Sequence, residues 1–190
     1  MARPKAFDPE EVLERVMRLF WDQGFEATSM QALVDETGVS RASLYATYGD
    51  KEALFTAAMA RYQGRIGSKA FLELAPPGAG RRALERFFLV TLANLASPDQ
   101  PRGCFAVNSM TAGDAVPGVV AKAVKESLAL LEEALLEAMQ RDPALQSRRD
   151  LRSVARFLTT LTQGLSVQAS AGTPVSELRE SVRMALRVLD

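Results

Sequence analysis

Residues 28–55 read TSMQALVDETGVSRASLYATYGDKEALF, and the local chemistry of this run decides the fold. Ser29 or Thr28 offers a hydroxyl that caps a helix, after which Met30, Leu33 and Val34 recur at the i, i+3, i+4 spacing of one buried face. Gly38 ends that helix in the left-handed conformation that glycine adopts without strain, and Val39 plugs the turn. Ser40 caps a second helix running to about Tyr48, with Leu44 and Tyr48 facing inward. Gly49 closes it, and Asp50 caps a third helix whose first core residues are Leu54 and Phe55. Two short helices joined by a tight glycine turn follow the helix-turn-helix plan, whose second helix enters the DNA major groove.

Capped helices and glycine turns occur in any helical bundle, so the plan alone does not separate a DNA reader from an ordinary core. The outward face of the second helix favours the reader. Arg41, Ala42, Ser43, Tyr45 and Thr47 are small or hydrogen-bonding, apart from one aromatic, whereas a merely solvated face would carry more Lys and Glu. Lys51 sits in the first turn of the next helix, where an ammonium and exposed backbone N–H groups together hold a phosphate. Ser29, Gln31 and Ser40, at the starts of the first two helices, complete the candidate DNA-facing set.

Upstream, Asp8-Pro9-Glu10-Glu11 opens a helix with an Asp cap, proline at the first helical position and Glu three residues after the cap. Val12, Val16, Leu19 and Phe20 form its apolar stripe and Gly24 ends it, which makes Trp21 a core or edge aromatic rather than a ligand contact. Before it lies a short arm with Arg3 and Lys5, placed to reach a phosphate or the minor groove.

At these residues a family resemblance enters. The run SRASLYATYGDKEAL, Ser40 to Leu54, resembles the recognition-helix signature of the TetR/AcrR transcriptional repressors: a serine, Leu-Tyr, an aromatic or His-Phe pair, then Lys-Glu-x-Leu. The resemblance extends upstream through RPKAFDPEEVLERVMRLFWDQGFEATSM and covers residues 3 to 62. Thr47 stands where histidine is frequent in the family, and Tyr48 where phenylalanine is.

Composition narrows the chemistry. The 190 residues are 47% hydrophobic, ample for a core, and hold one cysteine, Cys104, so no intrachain disulfide forms and a reducing cytoplasm is the expected setting. There is no histidine, which removes His-dependent triads and the commonest transition-metal ligand, and no cofactor is called for. No apolar run is long enough for a membrane span. Residues 1–60 carry six Lys/Arg against ten Asp/Glu, a net of minus four, so nonspecific DNA binding should be weak and affinity should depend on two correctly spaced half-sites.

The helix opened at Asp50 is expected to run to about Ser68 and to link the head to the remainder, with the breaker cluster Ala75-Pro-Pro-Gly-Ala-Gly80 beyond it. Further helices are expected over 81–96, 103–110, 116–140, 147–171 and 176–189, with no convincing period-two stretch. The fold class is therefore all-α, with a helix-turn-helix DNA-binding domain over 1–50 and a larger helical domain over 51–190, which the resemblance implies is for effector binding and dimerisation. In the last two helices Phe157, Thr160, Leu161, Gly164, Val182 and Leu186 mark apolar or small faces with more surface than one subunit covers, which points to a homodimer, and TetR-like proteins dimerise through this pair.

The resemblance also implies a small-molecule effector pocket enclosed by the linking helix and the helices up to residue 140. Candidate walls are Phe88, Leu92, Cys104, Phe105, Asn108 and Val124. The expected partners are a near-palindromic double-stranded operator, an apolar effector and a second copy of the chain, without a membrane. Two alternatives remain at this level: a thiol-based electrophile or redox sensor acting through Cys104, and a helical protein-interaction module or small enzyme.

Overall fold

The computed structural model describes residues 7–75, 80–111, 117–148 and 150–190. Arg3, Lys5 and residues 76–79 of the breaker cluster lie outside the described residues. Among the described residues every regular element is helical.

Three helices build the head. Helix α1 (Pro9–Gln23) is capped by the Asp8 carboxylate, which accepts from the Glu10 N–H at 2.9 Å. Helix α2 (Met30–Thr37) takes its cap from Ser29, not Thr28: the Ser29 hydroxyl accepts from Ala32 N–H, while the buried Thr28 hydroxyl donates to the Gly24 carbonyl. Gly38, at φ +69°, turns the chain in the left-handed region, and Val39 is buried beneath the turn. Helix α3 (Arg41–Tyr48) starts on the Ser40 cap and buries Leu44. Tyr48 is half-buried, and its hydroxyl donates to the Pro9 carbonyl at 2.6 Å, tying the end of α3 to the start of α1.

Helix α4 (Lys51–Tyr62) follows the Asp50 cap and belongs to the head core through Leu54, Phe55, Ala58 and Met59. Its expected continuation is not a uniform helix. A π-helical turn, Gln63–Gly67, falls in the stretch carrying Gly64 and Gly67, and the chain then resumes as α5 (Ser68–Leu72). Glu14 of α1 braces this region, accepting from Arg61 at 2.9 Å and pairing also with Arg18 and Arg65.

The larger part comprises α6 (Gly80–Leu95), α7 (Phe105–Thr111), α8 (Gly118–Gln140), α9 (Leu151–Ser170) and α10 (Val175–Leu186), which closes in a 3-10 turn, Arg187–Leu189. Helix α9 begins four residues later than its sequence pattern suggests, because residues 143–147 form turns around buried Leu145 and Asp142 accepts from the Ala144, Leu145 and Gln146 N–H groups.

Two apolar cores result, and their border is not where the sequence pattern divides the chain. One gathers α6, α9, α10 and the C-terminal half of α8. The other holds the head together with Phe105 and Ala106 of α7 and Val120, Ala123 and Val124 of α8. Phe105 is fully buried, with ring centroids 5.3 Å from Phe55 and 5.7 Å from Tyr62. The head is therefore packed onto the body through aromatic contacts.

Candidate nucleic-acid interface and ligand cavity

The face of α3 turned to solvent carries Arg41, Ala42 and Tyr45, with Ser43 and Thr47 half-exposed beside them. Tyr45 is 42% exposed although it is large and aromatic, and Arg41 makes no ion pair among the described residues. Ser40 spends its hydroxyl locally, accepting from Ser43 N–H at 3.2 Å and donating to Ser43 Oγ at 2.9 Å. Gln31, one turn into α2, donates to the Asp35 carboxylate at 2.8 Å. Lys51 is half-buried, with Nζ 4.3 Å from the centre of the Phe25 ring. That burial pulls its pKa below the ordinary lysine value, partly opposed by the Glu26 charge. The first turn of α4 thus holds a cation fixed against an aromatic face beside a helix N-terminus.

A cavity of about 560 Å³ lies behind the head, walled by residues from α1, the α4–α5 segment and α6 to α9. Its surface is mainly apolar, with Trp21, Tyr62, Ile66, Phe71, Phe87 and Leu131 among the lining residues. Trp21 is the last large residue of α1, 98% buried, and its ring packs edge-on to Tyr62 at 5.0 Å. Tyr62 Oη donates to Cys104 Sγ at 3.3 Å. Burial, with the thiol beside it, pushes the Tyr62 phenol well above its ordinary pKa, so at neutral pH the hydroxyl keeps its proton.

Residues 12–58 match the family described as bacterial regulatory proteins, tetR family. The HTH-type transcriptional repressor ComR of Escherichia coli K12 is 33% identical over 98% of this chain and 90% of its own length. A cysteine mutant of the TetR family transcriptional regulator CifR, solved with 26-bp double-strand operator DNA, superposes with a TM-score of 0.90 at 34% identity, covering 97% of this chain and 98% of that one. The chain belongs to the TetR family. The uncharacterized HTH-type transcriptional regulator YezE of Bacillus subtilis 168 is 29% identical over the full length of both chains. This TetR-family protein is accordingly a DNA-binding regulator of transcription and not an enzyme. No helix among the described residues is long and apolar enough to cross a membrane.

The cavity of this TetR-family regulator is not walled by the residues its sequence pattern suggests. Of the six expected wall residues, Cys104 lines it. Phe88 and Leu92 are buried in the core of the body, and Phe105 and Val124 in the core shared with the head. Asn108 turns its amide to the backbone, donating to the Trp21 carbonyl at 3.3 Å and the Arg102 carbonyl at 2.8 Å. Trp21, expected to be core or edge only, is on the wall.

The expected subunit face is divided similarly. Phe157, Thr160 and Gly164 of α9 are exposed, with open space where a Gly164 Cβ would stand, and Leu161 is half-buried at the edge of the body core. Val182 and Leu186 of α10 point into their own subunit. The exposed apolar residues there are Met184 and Val188, which with Phe157, Leu161 and Ala185 line a shallow groove between α9 and α10. Met184 and Val188 stand two positions, about 200° of helix, from Val182 and Leu186, so the two pairs face opposite ways: one pair into its own subunit, the other to solvent.

Proposed function

We propose that this regulator acts in the cytoplasm as a symmetric dimer that represses transcription from a near-palindromic operator and lets go when a small, largely apolar effector fills the cavity. The observation that carries this reading is the double membership of Trp21, which belongs to α1 of the reading head and to the cavity wall. A ligand pressing on that wall acts on the head without an intermediary. An effector that prefers the displaced head by about 3 kcal/mol weakens operator binding more than a hundredfold. In this reading the head over 1–50 contacts DNA through Ser29, Gln31, Ser40, Arg41, Ala42, Ser43, Tyr45, Thr47 and Lys51, and residues 51–190 hold effector and partner. Fluorescence anisotropy with DNA from upstream of its own gene tests it. A salt-sensitive, sequence-selective complex that a cavity ligand dissolves is the expected result, and a complex indifferent to sequence would overturn it.

Point changes in the head sharpen the test. Tyr45→Ala and Lys51→Ala should each cost about 1 kcal/mol per half-site, roughly thirtyfold over two half-sites, without lowering the melting temperature. Arg41→Ala should in addition relax preference at one base position if its guanidinium reads a guanine. Competition with single-base operator variants measures this.

A second reading rests on Cys104, whose thiol faces the cavity and accepts the Tyr62 hydroxyl hydrogen bond. An electrophile admitted to the cavity would meet that sulfur. Under the reversible-effector reading, Cys104→Ser leaves release unchanged. Release that becomes blind to quinones, aldehydes or peroxide in this variant would favour the thiol instead.

A further inference from the structure

Lys51, the first residue of α4, has carboxylates around it and pairs with none of them. Asp50 and Glu52 are its chain neighbours, and the Glu26 charge is near enough to act on its titration. No ion pair to Lys51 forms among the described residues. Asp50 spends its carboxylate on the helix cap, accepting from Ala53 N–H at 2.8 Å. The ammonium lies instead 4.3 Å from the centre of the Phe25 ring.

That ring has little freedom to turn away. Phe25 is buried, stacks on Phe20 with ring centroids 5.9 Å apart, and meets Phe55 edge to face at 5.3 Å. Phe20 belongs to α1, and Phe55 to α4, four residues after Lys51. Two helices of the head therefore set the orientation of the ring, and the ring sets the place of the cation.

A lysine held this way differs from a salt-bridged one. A carboxylate takes up N–H donors and cancels the charge, so an incoming phosphate would have to displace it. An aromatic face attracts the cation through its quadrupole and leaves N–H donors open. A long, flexible side chain that is already in place also gives up less freedom when DNA arrives than one that swings in solvent.

We infer that Phe25 is a positioning residue for operator binding: its ring holds the Lys51 ammonium, donors open, where the DNA backbone passes. This rests on the reading of Lys51 as a phosphate contact and adds what aims it. The buried ring acts only through the lysine, so its effect on DNA must vanish when the lysine is gone.

A double-mutant cycle on the full-length protein, read by fluorescence anisotropy with DNA from upstream of its own gene, tests this. Phe25→pentafluorophenylalanine keeps the ring but reverses the sign of its face, and Phe25→Leu keeps an apolar side chain without a π face. Each should weaken operator binding about tenfold over two half-sites when Lys51 is present, and less than about twofold in the Lys51→Ala background. Thermal denaturation checks that every variant is folded at the titration temperature. Equal losses in both backgrounds, or no loss while Lys51→Ala itself weakens binding, overturn the inference and leave the phosphate contact standing. A Lys51→Ala variant that binds as tightly as the parent removes the contact and the inference with it. One measurement needs no change at Phe25: in NMR spectra of lysine-labelled protein, the ring current should carry the Lys51 ε-methylene protons upfield of those of the other lysines. The Lys51 signal is identified by its absence from Lys51→Ala, and a position among the other lysines overturns the inference.

Discussion

Replacing Phe157 and Met184 together by glutamate is expected to convert the protein to a monomer and to lower operator affinity by about a thousandfold. Both side chains stand in solvent, Phe157 at 46% and Met184 at 64% exposure, with Val167 at 52% and Val188 at 38% nearby. An apolar patch of this kind on two adjacent helices marks a surface that another surface covers. A twofold axis through it would bury each residue twice, at about 1.5–3 kcal/mol per large apolar side chain, and glutamate would bring four carboxylates together where those gains had been. Gly164 beside the patch leaves room for a close helix crossing. The thousandfold loss follows from geometry: one eight-residue recognition helix on an acidic head binds weakly, and only a pair, roughly 34–36 Å apart, engages two half-sites at once. Light scattering after size exclusion gives the mass, and anisotropy the affinity. A variant that remains dimeric, or a monomer that binds as tightly as the parent, would remove this face from the interface.

The parts of the molecule set by short-range chemistry could be read from the sequence. The caps Asp8, Ser29, Ser40 and Asp50, the left-handed Gly38 and the buried Val39 each act within four residues of themselves, and they fix α1 to α4 before any long-range packing is known. A cavity has no such local mark. Phe88 and Leu131 are both apolar residues on inward helix faces, yet Phe88 is enclosed on every side and Leu131 fronts a void. The difference arises from how α6 and α8 cross, which periodicity does not encode. Trp21 shows the same limit: its place on the apolar stripe of α1 is evident, whereas its role as a wall depends on α7 and α9 arriving from more than eighty residues away. The division into head and body also looked cleaner in sequence than in space, because Phe105, Val120 and Val124 complete the head core from the far side of the breaker cluster.

That shared core leads to the second large effect. Phe105→Ala should destabilise the whole protein by about 3–5 kcal/mol, which for a chain of this length lowers the melting temperature by roughly 10 °C. The ring is fully buried and contacts Phe55 and Tyr62 edge-on, with Trp21 stacked at 6.5 Å. Removing it opens a void inside the core that the head shares with α7 and α8, where collapse is resisted from both sides. Because the ring is also what α7 presses against α4, a gentler change separates stability from signalling. Phe105→Leu keeps most of the volume and should cost about 1.5 kcal/mol or less, leaving operator binding intact. It loses the edge-to-face contacts that relate head to body, so the ratio of operator affinities with and without effector should shrink several-fold while effector affinity itself changes little. Thermal denaturation measures the first outcome, and paired anisotropy titrations the second. A leucine variant that releases DNA as fully as the parent would mean that the signal passes through Trp21 and the π turn alone, with the aromatic cluster serving only to hold the head on the body.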